Sequence, residues 1–272
     1  MADKSNFLSS VAPWDTVAEG YSETTMKLFQ CYSDKAISLT KINDESKIVD
    51  IACGPGTLAL RAAETVRSVY ATDFSSNMIN ILNRKVTHYN IKNITTHCAN
   101  GQQLPYANKS FDAAYSMFGL MFFPDRDKGY SEIMRTLKPA GEVVISSWAP
   151  VVQSPAMQAM FGALQVINPE IPDPQTDIES LENPDFFEQE LVNAGFRNVA
   201  IHTIHENYPI HSIEKFWEDM VKGSAPIIML KNSLPESLWQ EKSALAQEYL
   251  KRILGDETTS LSATAYLGYG IK

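Results

Sequence analysis

Two acids and two glycines form the first group of residues in this chain that could do chemistry. In VDIACGPGTLAL, residues 49–60, Asp50 precedes a turn that holds Gly54 and Gly56. Gly54, Gly56 and Ala59 spell G-x-G-x-x-A, an accepted form of the dinucleotide fingerprint. A dinucleotide loop meets its pyrophosphate with backbone N–H groups at a helix N-terminus. Pro55 removes one such donor, and Asp50 sets a carboxylate at the mouth of the same loop. That carboxylate repels a pyrophosphate and attracts a cation such as an ammonium or a sulfonium. Asp73 lies at the separation expected of an acid that binds ribose hydroxyls. The combination favours a nucleoside carrying positive charge, with a nicotinamide dinucleotide as the competing reading.

The elements that must position these residues alternate regularly. KIVDIA (47–52), SVYATDF (68–74), ITTHCANG (94–101), FDAAYSMFGL (111–120) and GEVVISSW (141–148) read as apolar strands. Helical stretches separate several of them: TLALRAAETV, then SSNMINILNRKVTHYN capped by Ser75 or Ser76, then a helix containing YSEIMRTLK that Pro139 and Gly141 stop. Strands apolar enough to be buried on both faces imply an open parallel sheet, with a ligand crevice at the carboxyl ends of its strands. A helical segment over residues 13–41 precedes the first strand. After Trp148 the pattern changes. A helix in QSPAMQAMFGALQVI leads to an acidic, proline-rich stretch, then a helix closed by Gly195 and an alternating strand, FRNVAIHTIHENYPI. Residues 212–253 read as largely helical, and SATAYLGYGIK closes the chain as a strand.

WDTVAEGY, VDIACGPGT, ATDFSSNMI, ANGQQLPYANKSFDAAYSMFGLMFF and EIMRTLKPAGEVVISSW together resemble a class I S-adenosylmethionine-dependent methyltransferase of the quinone-biosynthesis-like, small-molecule group. The resemblance covers Trp14 to Pro150; beyond it, the spacing of Trp217 and Pro226 is similar to a subgroup with a helical cap. It implies an α/β fold: a doubly wound, seven-stranded, mostly parallel Rossmann-like sheet with helices on both faces and a helical cap inserted late in the chain. A single domain over 1–272 is expected to divide into an N-terminal helical lid (1–45), a cofactor core (46–150), a substrate cap (151–184 and 212–260), and closing elements (185–211 and 261–272).

The resemblance also assigns roles, with S-adenosyl-L-methionine as cofactor and S-adenosyl-L-homocysteine as product. Asp50 is expected at the methionyl ammonium, and Gly54 and Gly56 where the cofactor approaches the backbone, flanked by Ala52 and Cys53. Asp73 with Phe74 is expected at the ribose and Met78 on the adenine, with Asn100, Gly101 and Gln102 at the adenine edge. Ser116, Met117 and Phe118 are expected along the methionyl and sulfonium region, and Tyr21 closing over the cofactor. Two residues depart from the family pattern: Ala52 stands where a first glycine is usual, and Asn100 where an aspartate is usual. Alanine keeps the turn if φ is negative there, and the Asn100 carbonyl oxygen remains able to accept from the adenine amine.

The implied activity is methyl transfer to a small, moderately hydrophobic organic acceptor. A nicotinamide-dependent oxidoreductase and a non-catalytic S-adenosylmethionine-binding protein are the alternatives. Trp14, Met121, Trp148, Trp217 and Met220 are candidate acceptor contacts, and His202 and His205 candidate general bases, weighed against a reading as exposed strand histidines. Cys53 reads as a small loop residue, since no histidine is near it in sequence.

Composition bounds the remaining classes. The chain has 272 residues, a hydrophobic fraction of 44% and a net charge of −9, which argues against a nucleic-acid partner. Three scattered cysteines suggest neither disulfides nor zinc, so no metal is expected. MADKSNFLSS lacks a signal-like apolar run and no stretch is long enough to span a bilayer, so a cytoplasmic protein is expected, as a monomer or homodimer.

Overall fold

The computed structural model describes residues 7–175, 177–255 and 257–272. Seven strands form one sheet in the order β3-β2-β1-β4-β5-β7-β6. They are β1 (Lys47–Ile51), β2 (Ser68–Asp73), β3 (Ile94–Cys98), β4 (Phe111–Ser116), β5 (Leu137–Trp148), β6 (Arg197–Pro209) and β7 (Ser260–Ile271). The pairings among β1 to β5 are parallel, and β7 runs antiparallel to both β5 and β6. The chain order reverses at β1, whose neighbours are β2 and β4, so their carboxyl ends diverge and open a crevice.

Helices cover both faces. On one face α2 (Met26–Ser38), α3 (Thr57–Ala62) and α4 (Ser76–His88) pack Ala36, Leu58, Ala62, Ile79 and Leu82 against Ile48, Val69, Ala113 and Val144. On the other, α5 (Arg126–Thr136) and α7 (Pro184–Asn193) pack Tyr130, Ile133, Phe187 and Leu191 against Val49, Ile51, Val143 and Ile145. Ser75 caps α4 by accepting from Met78 N–H at 3.1 Å, which fixes where the chain turns after β2.

The remaining helices form a cap: α6 (Pro155–Ile167) after β5, then α8 (Ile213–Gly223), α9 (Ala225–Ser233) and α10 (Glu236–Leu254) between β6 and β7. They share a core of their own, including Ala163, Leu164, Trp217, Ile227, Trp239, Ala246 and Leu250. None of the described helices is long and apolar enough to cross a membrane.

Several elements differ from the sequence reading, among them β4, which stops at Ser116 short of Leu120, and α3, which stops at Ala62 short of Val66. The N-terminal helix is interrupted: α1 (Val11–Gly20) passes through a wide π turn, Tyr21–Thr25, into α2. β5 starts at Leu137 directly after α5, so Pro139 and Gly141 lie within the extended run and do not follow the helix end. Its pairing with β4 shifts between Phe111 and Ala113, an irregularity that accommodates a proline in a strand.

Candidate functional site

The crevice at the β1, β2 and β4 ends continues into two adjoining cavities. One is lined by Trp14, Asp73, Phe74, Met78, Asn100, Gly101 and Gln102, the other by Phe29, Ser33, Asp50, Cys53 and Pro55; Tyr21, Ala52, Gly54, Met117 and Phe118 line both. Four short stretches at strand ends thus converge, as expected where helices on both sides leave only loops at the sheet edge.

Backbone N–H groups in the glycine turn are already spent. Cys53 N–H donates to Thr72 O at 3.0 Å, Gly54 N–H to the Asp73 Oδ2 at 2.8 Å, and Gly56 N–H to Cys53 O at 3.0 Å. Pro55 has no N–H to offer. Across residues 53–56 the loop therefore has no donor left for a pyrophosphate. The two glycines do different work. A side chain on Gly54, at φ +52, would project into open space, so this bare backbone faces the cavity. On Gly56, at φ +92, a Cβ would lie 2.3 Å from a Leu82 methyl, so this glycine lets α4 pack against the loop.

Ala52 overturns its expectation. Its φ is +55, in the left-handed region, where an L side chain is strained by about 1–2 kcal/mol. Space for its methyl comes from Gly119, where a Cβ would lie only 2.4 Å from that of Ala52. Phe118 also has a left-handed φ of +55; its N–H donates to Ser146 Oγ at 2.7 Å and its ring stacks on Trp148 at 4.3 Å. Ser116 does not line either cavity. It is fully buried and its Oγ accepts from Leu120 N–H at 3.2 Å, holding the loop that presents Met117 and Phe118.

The electrostatics single out Asp50. It is 1% exposed; Oδ2 accepts from Ala59 N–H at 3.1 Å, while Oδ1, also buried, has no partner. Burial pushes its carboxyl up to about 8, against the Ala59 N–H that lowers it, and the nearby Asp73 raises it further. Asp73 is itself pushed up to about 6 by burial, although Ser75 and Gly54 N–H groups favour its ionised form. Burial also raises the Tyr21 phenol, with Asp73 adding to the effect. Burial and the same two acids raise the Cys53 thiol well above its ordinary value, so it stays protonated and unreactive. Two buried acids, one with an empty lone-pair site, form a pocket in which a bound cation would favour the ionised carboxylates.

Other candidates fall elsewhere. Trp14 lines the first cavity, its Nε1 donating to Leu8 O at 2.8 Å and its ring 5.3 Å from Phe122. Met121 and Trp148 pack behind Phe118 in a cluster with Phe29, Tyr32 and Tyr208. Trp217 and Met220 are not walls of either cavity. Both pack into the core of the cap, with Trp217 1% exposed, stacked 6.1 Å from Trp239 and donating to Ser243 Oγ at 2.7 Å. His202 and His205 lie on β6, away from both cavities, and His205 Nδ1 pairs with Thr264 Oγ1 at 3.0 Å. Phe29, Phe122 and Phe123 are lining residues that sequence reasoning missed. Phe29 carries no motif; only its place one helical turn before Ser33, which shares its cavity, marks the lining face of α2.

Comparison with known proteins places this geometry in context. Residues 48–141 match the family described as "Methyltransferase domain". The demethylmenaquinone methyltransferase of Bacillus velezensis is 34% identical over 116 residues, 42% of this chain and 50% of that one. A putative methyltransferase of Bacillus halodurans superposes with a TM-score of 0.58 at 16% identity, over 88% of this chain and 98% of that one. The Haemonchus contortus phosphoethanolamine N-methyltransferase 2, solved with S-adenosyl-L-methionine, gives 0.55 at 17%, over 89% of this chain and 52% of that one. The chain spans between about a third and a half of the length of the first curated relatives it matches.

Proposed function

From a chain that carries a class I methyltransferase domain, we propose an enzyme that transfers a methyl group from S-adenosyl-L-methionine to a small organic acceptor. The observation that carries this reading is the unpartnered, buried Oδ1 of Asp50 beside Asp73, at a turn whose bare Gly54 faces the cavity. These residues fit a cationic amino-acid nucleoside and oppose a nicotinamide dinucleotide, whose pyrophosphate would meet a carboxylate and no free N–H across 53–56.

When bound, the cofactor supplies a sulfonium-activated methyl group. Asp50 holds the ammonium through Oδ1, its second oxygen being fixed by Ala59. Asp73, oriented by two backbone N–H groups, accepts from the ribose hydroxyls. Phe74 and Met78 contact the base, while Tyr21 spans both cavities and excludes water. Met117 and Phe118 set the wall beside the reacting carbon. Among the described residues, neither cavity is lined by a histidine, lysine or arginine. Alignment of the reacting atoms and exclusion of water are the chain's part in this reading. Phe29, Tyr32, Phe118 and Trp148 form an aromatic surface beside the second cavity, and this favours an acceptor with an apolar face.

Calorimetry with S-adenosyl-L-methionine and S-adenosyl-L-homocysteine tests the binding. Wild type is expected to bind both, and Asp73→Ala to weaken them by roughly a hundredfold, as for two hydrogen bonds to a charged group. Undetectable wild-type binding near ~1 mM overturns the proposal. Release of S-adenosyl-L-homocysteine across a panel of phenols, amines and activated ring carbons separates the enzyme from a protein that only binds.

A further inference from the structure

Two side-chain amides line the first cavity beside Gly101, and the oxygen of each already accepts one hydrogen bond. Asn100 Oδ1 accepts from Gln102 N–H at 2.9 Å, closing a tight turn, and Gln102 Oε1 accepts from Asp125 N–H at 3.1 Å. Only the carbonyl end of an amide can accept, so these bonds fix which way each group points. The NH2 end of each amide, opposite an oxygen that already accepts one bond, is then the end with donors to offer a ligand at this edge of the cavity. An aspartate in place of Asn100 would close the same turn with one oxygen and offer a second acceptor. Asn100 offers two donors there instead.

We infer that residues 100–102 meet the base of the ligand with side-chain donors, so this site separates a 6-aminopurine from a 6-oxopurine only weakly. The inference rests on the reading that the nucleoside end of an S-adenosyl ligand lies against Asn100. An exocyclic amine is a donor and gains nothing from the Asn100 NH2, whereas an exocyclic oxygen accepts from it. One lone pair of Asn100 Oδ1 remains for the amine, on an oxygen that already accepts from Gln102 N–H and lacks the charge that strengthens such a bond. Gln102 adds to the bias, because its fixed amide also ends in donors.

The test is calorimetric titration with S-adenosyl-L-homocysteine and its deaminated counterpart, S-inosyl-L-homocysteine, for wild type, Asn100→Asp and Asn100→Ala. Wild type is expected to hold the two ligands within about tenfold of each other, and Asn100→Asp to widen the adenosyl preference by at least about tenfold, the scale of a charge-assisted bond. Asn100→Ala is expected to weaken the inosyl ligand more than the adenosyl one. Asn100 is exposed and an aspartate keeps the turn, and unchanged melting of Asn100→Asp confirms its fold. A wild-type preference for the adenosyl ligand beyond about tenfold, or a ratio that Asn100→Asp leaves unmoved, overturns the inference while leaving cofactor binding intact. Failure of either ligand to bind wild type overturns the cofactor reading and the inference with it.

Discussion

At the end of β1 the chain leaves a buried carboxyl oxygen unsatisfied, whereas among the described residues of the cap no buried side-chain polar atom lacks a partner. Asp50 keeps a bare oxygen, Asp50 and Asp73 are both held above their ordinary range, and Ala52 and Phe118 sit at left-handed φ. The cap buries Trp217 against Trp239 and gives its indole N–H to Ser243. A buried polar group without a partner persists only where surrounding structure enforces it, and it marks a place for a ligand. Left-handed φ alone does not, since Asn90, Lys109, Ala140 and Asn198 adopt it away from both cavities. Among the described residues the cap contributes no lining residue to either cavity, yet it touches the pocket indirectly. Gly20, next to Tyr21, lies so near α8 that a Cβ there would fall 2.1 Å from Lys222 O, and Thr25 Oγ1 donates to Gly223 O at 3.1 Å.

Replacing Asp50 breaks that comparison most sharply. Its carboxyl titrates near 3.8 when unperturbed and near 8 in the folded chain. The folded state therefore holds a proton that the unfolded state releases, and stability falls as pH rises across this window, with the full penalty reached above about 8. Asp50→Asn keeps an acceptor for Ala59 N–H and removes the penalty. It is expected to raise the melting temperature by several degrees at about pH 8.5 and by little near pH 4, while weakening S-adenosyl-L-methionine at least roughly a hundredfold. In wild type, cofactor affinity should fall as pH drops below about 8, with net proton release on binding seen in buffers of differing ionisation enthalpy. A melting temperature lowered at alkaline pH by Asp50→Asn would show that this carboxylate is satisfied.

Gly20→Ala probes the indirect contact. The backbone of Lys222 cannot yield as a flexible side chain would, so α1 and α8 must part. The expected loss is about 1–3 kcal/mol in stability, the usual range for overpacking, with cofactor affinity reduced about tenfold through Tyr21, although residue 20 lines neither of the two cavities. Affinity unchanged at reduced stability would make the cap a separate body as far as the pocket is concerned.

These differences follow how legible each region was in the sequence. Asp50, Gly54 and Asp73 sit at the ends of apolar runs, and their spacing in the chain fixes their spacing in the crevice, because parallel neighbours share one register. The turn after β3 was equally readable as far as Asn100 to Gln102. Which end of each amide faces the cavity was not, since that depends on Gln102 N–H and on Asp125 N–H, the latter about twenty residues away. Gly56 was misread, because a glycine beside Leu82 looks the same in sequence as one beside a ligand. The cap misled for a further reason: helical periodicity shows that Trp217 has an apolar environment but not whether that environment is its own core or a substrate. The π turn at Tyr21–Thr25 carries no motif in the sequence, and its Thr25 Oγ1 meets α8 at Gly223 O, a partner nearly two hundred residues away.

The smallest expected effect belongs to Ala52. Glycine at φ +55 removes about 1–2 kcal/mol of steric strain. It also adds conformational freedom to the unfolded chain, about 0.4–1 kcal/mol, and withdraws the methyl that fills the space above Gly119. The terms leave Ala52→Gly more stable by up to about 1 kcal/mol, read as a rise in the denaturant midpoint without change in slope. Affinity for S-adenosyl-L-homocysteine should move less than about threefold, because Gly54 and not residue 52 presents the bare backbone to the cavity. Destabilisation would mean that the Ala52 methyl, seated on Gly119, stabilises the β4 loop and its strained Phe118 by more than its own left-handed backbone costs.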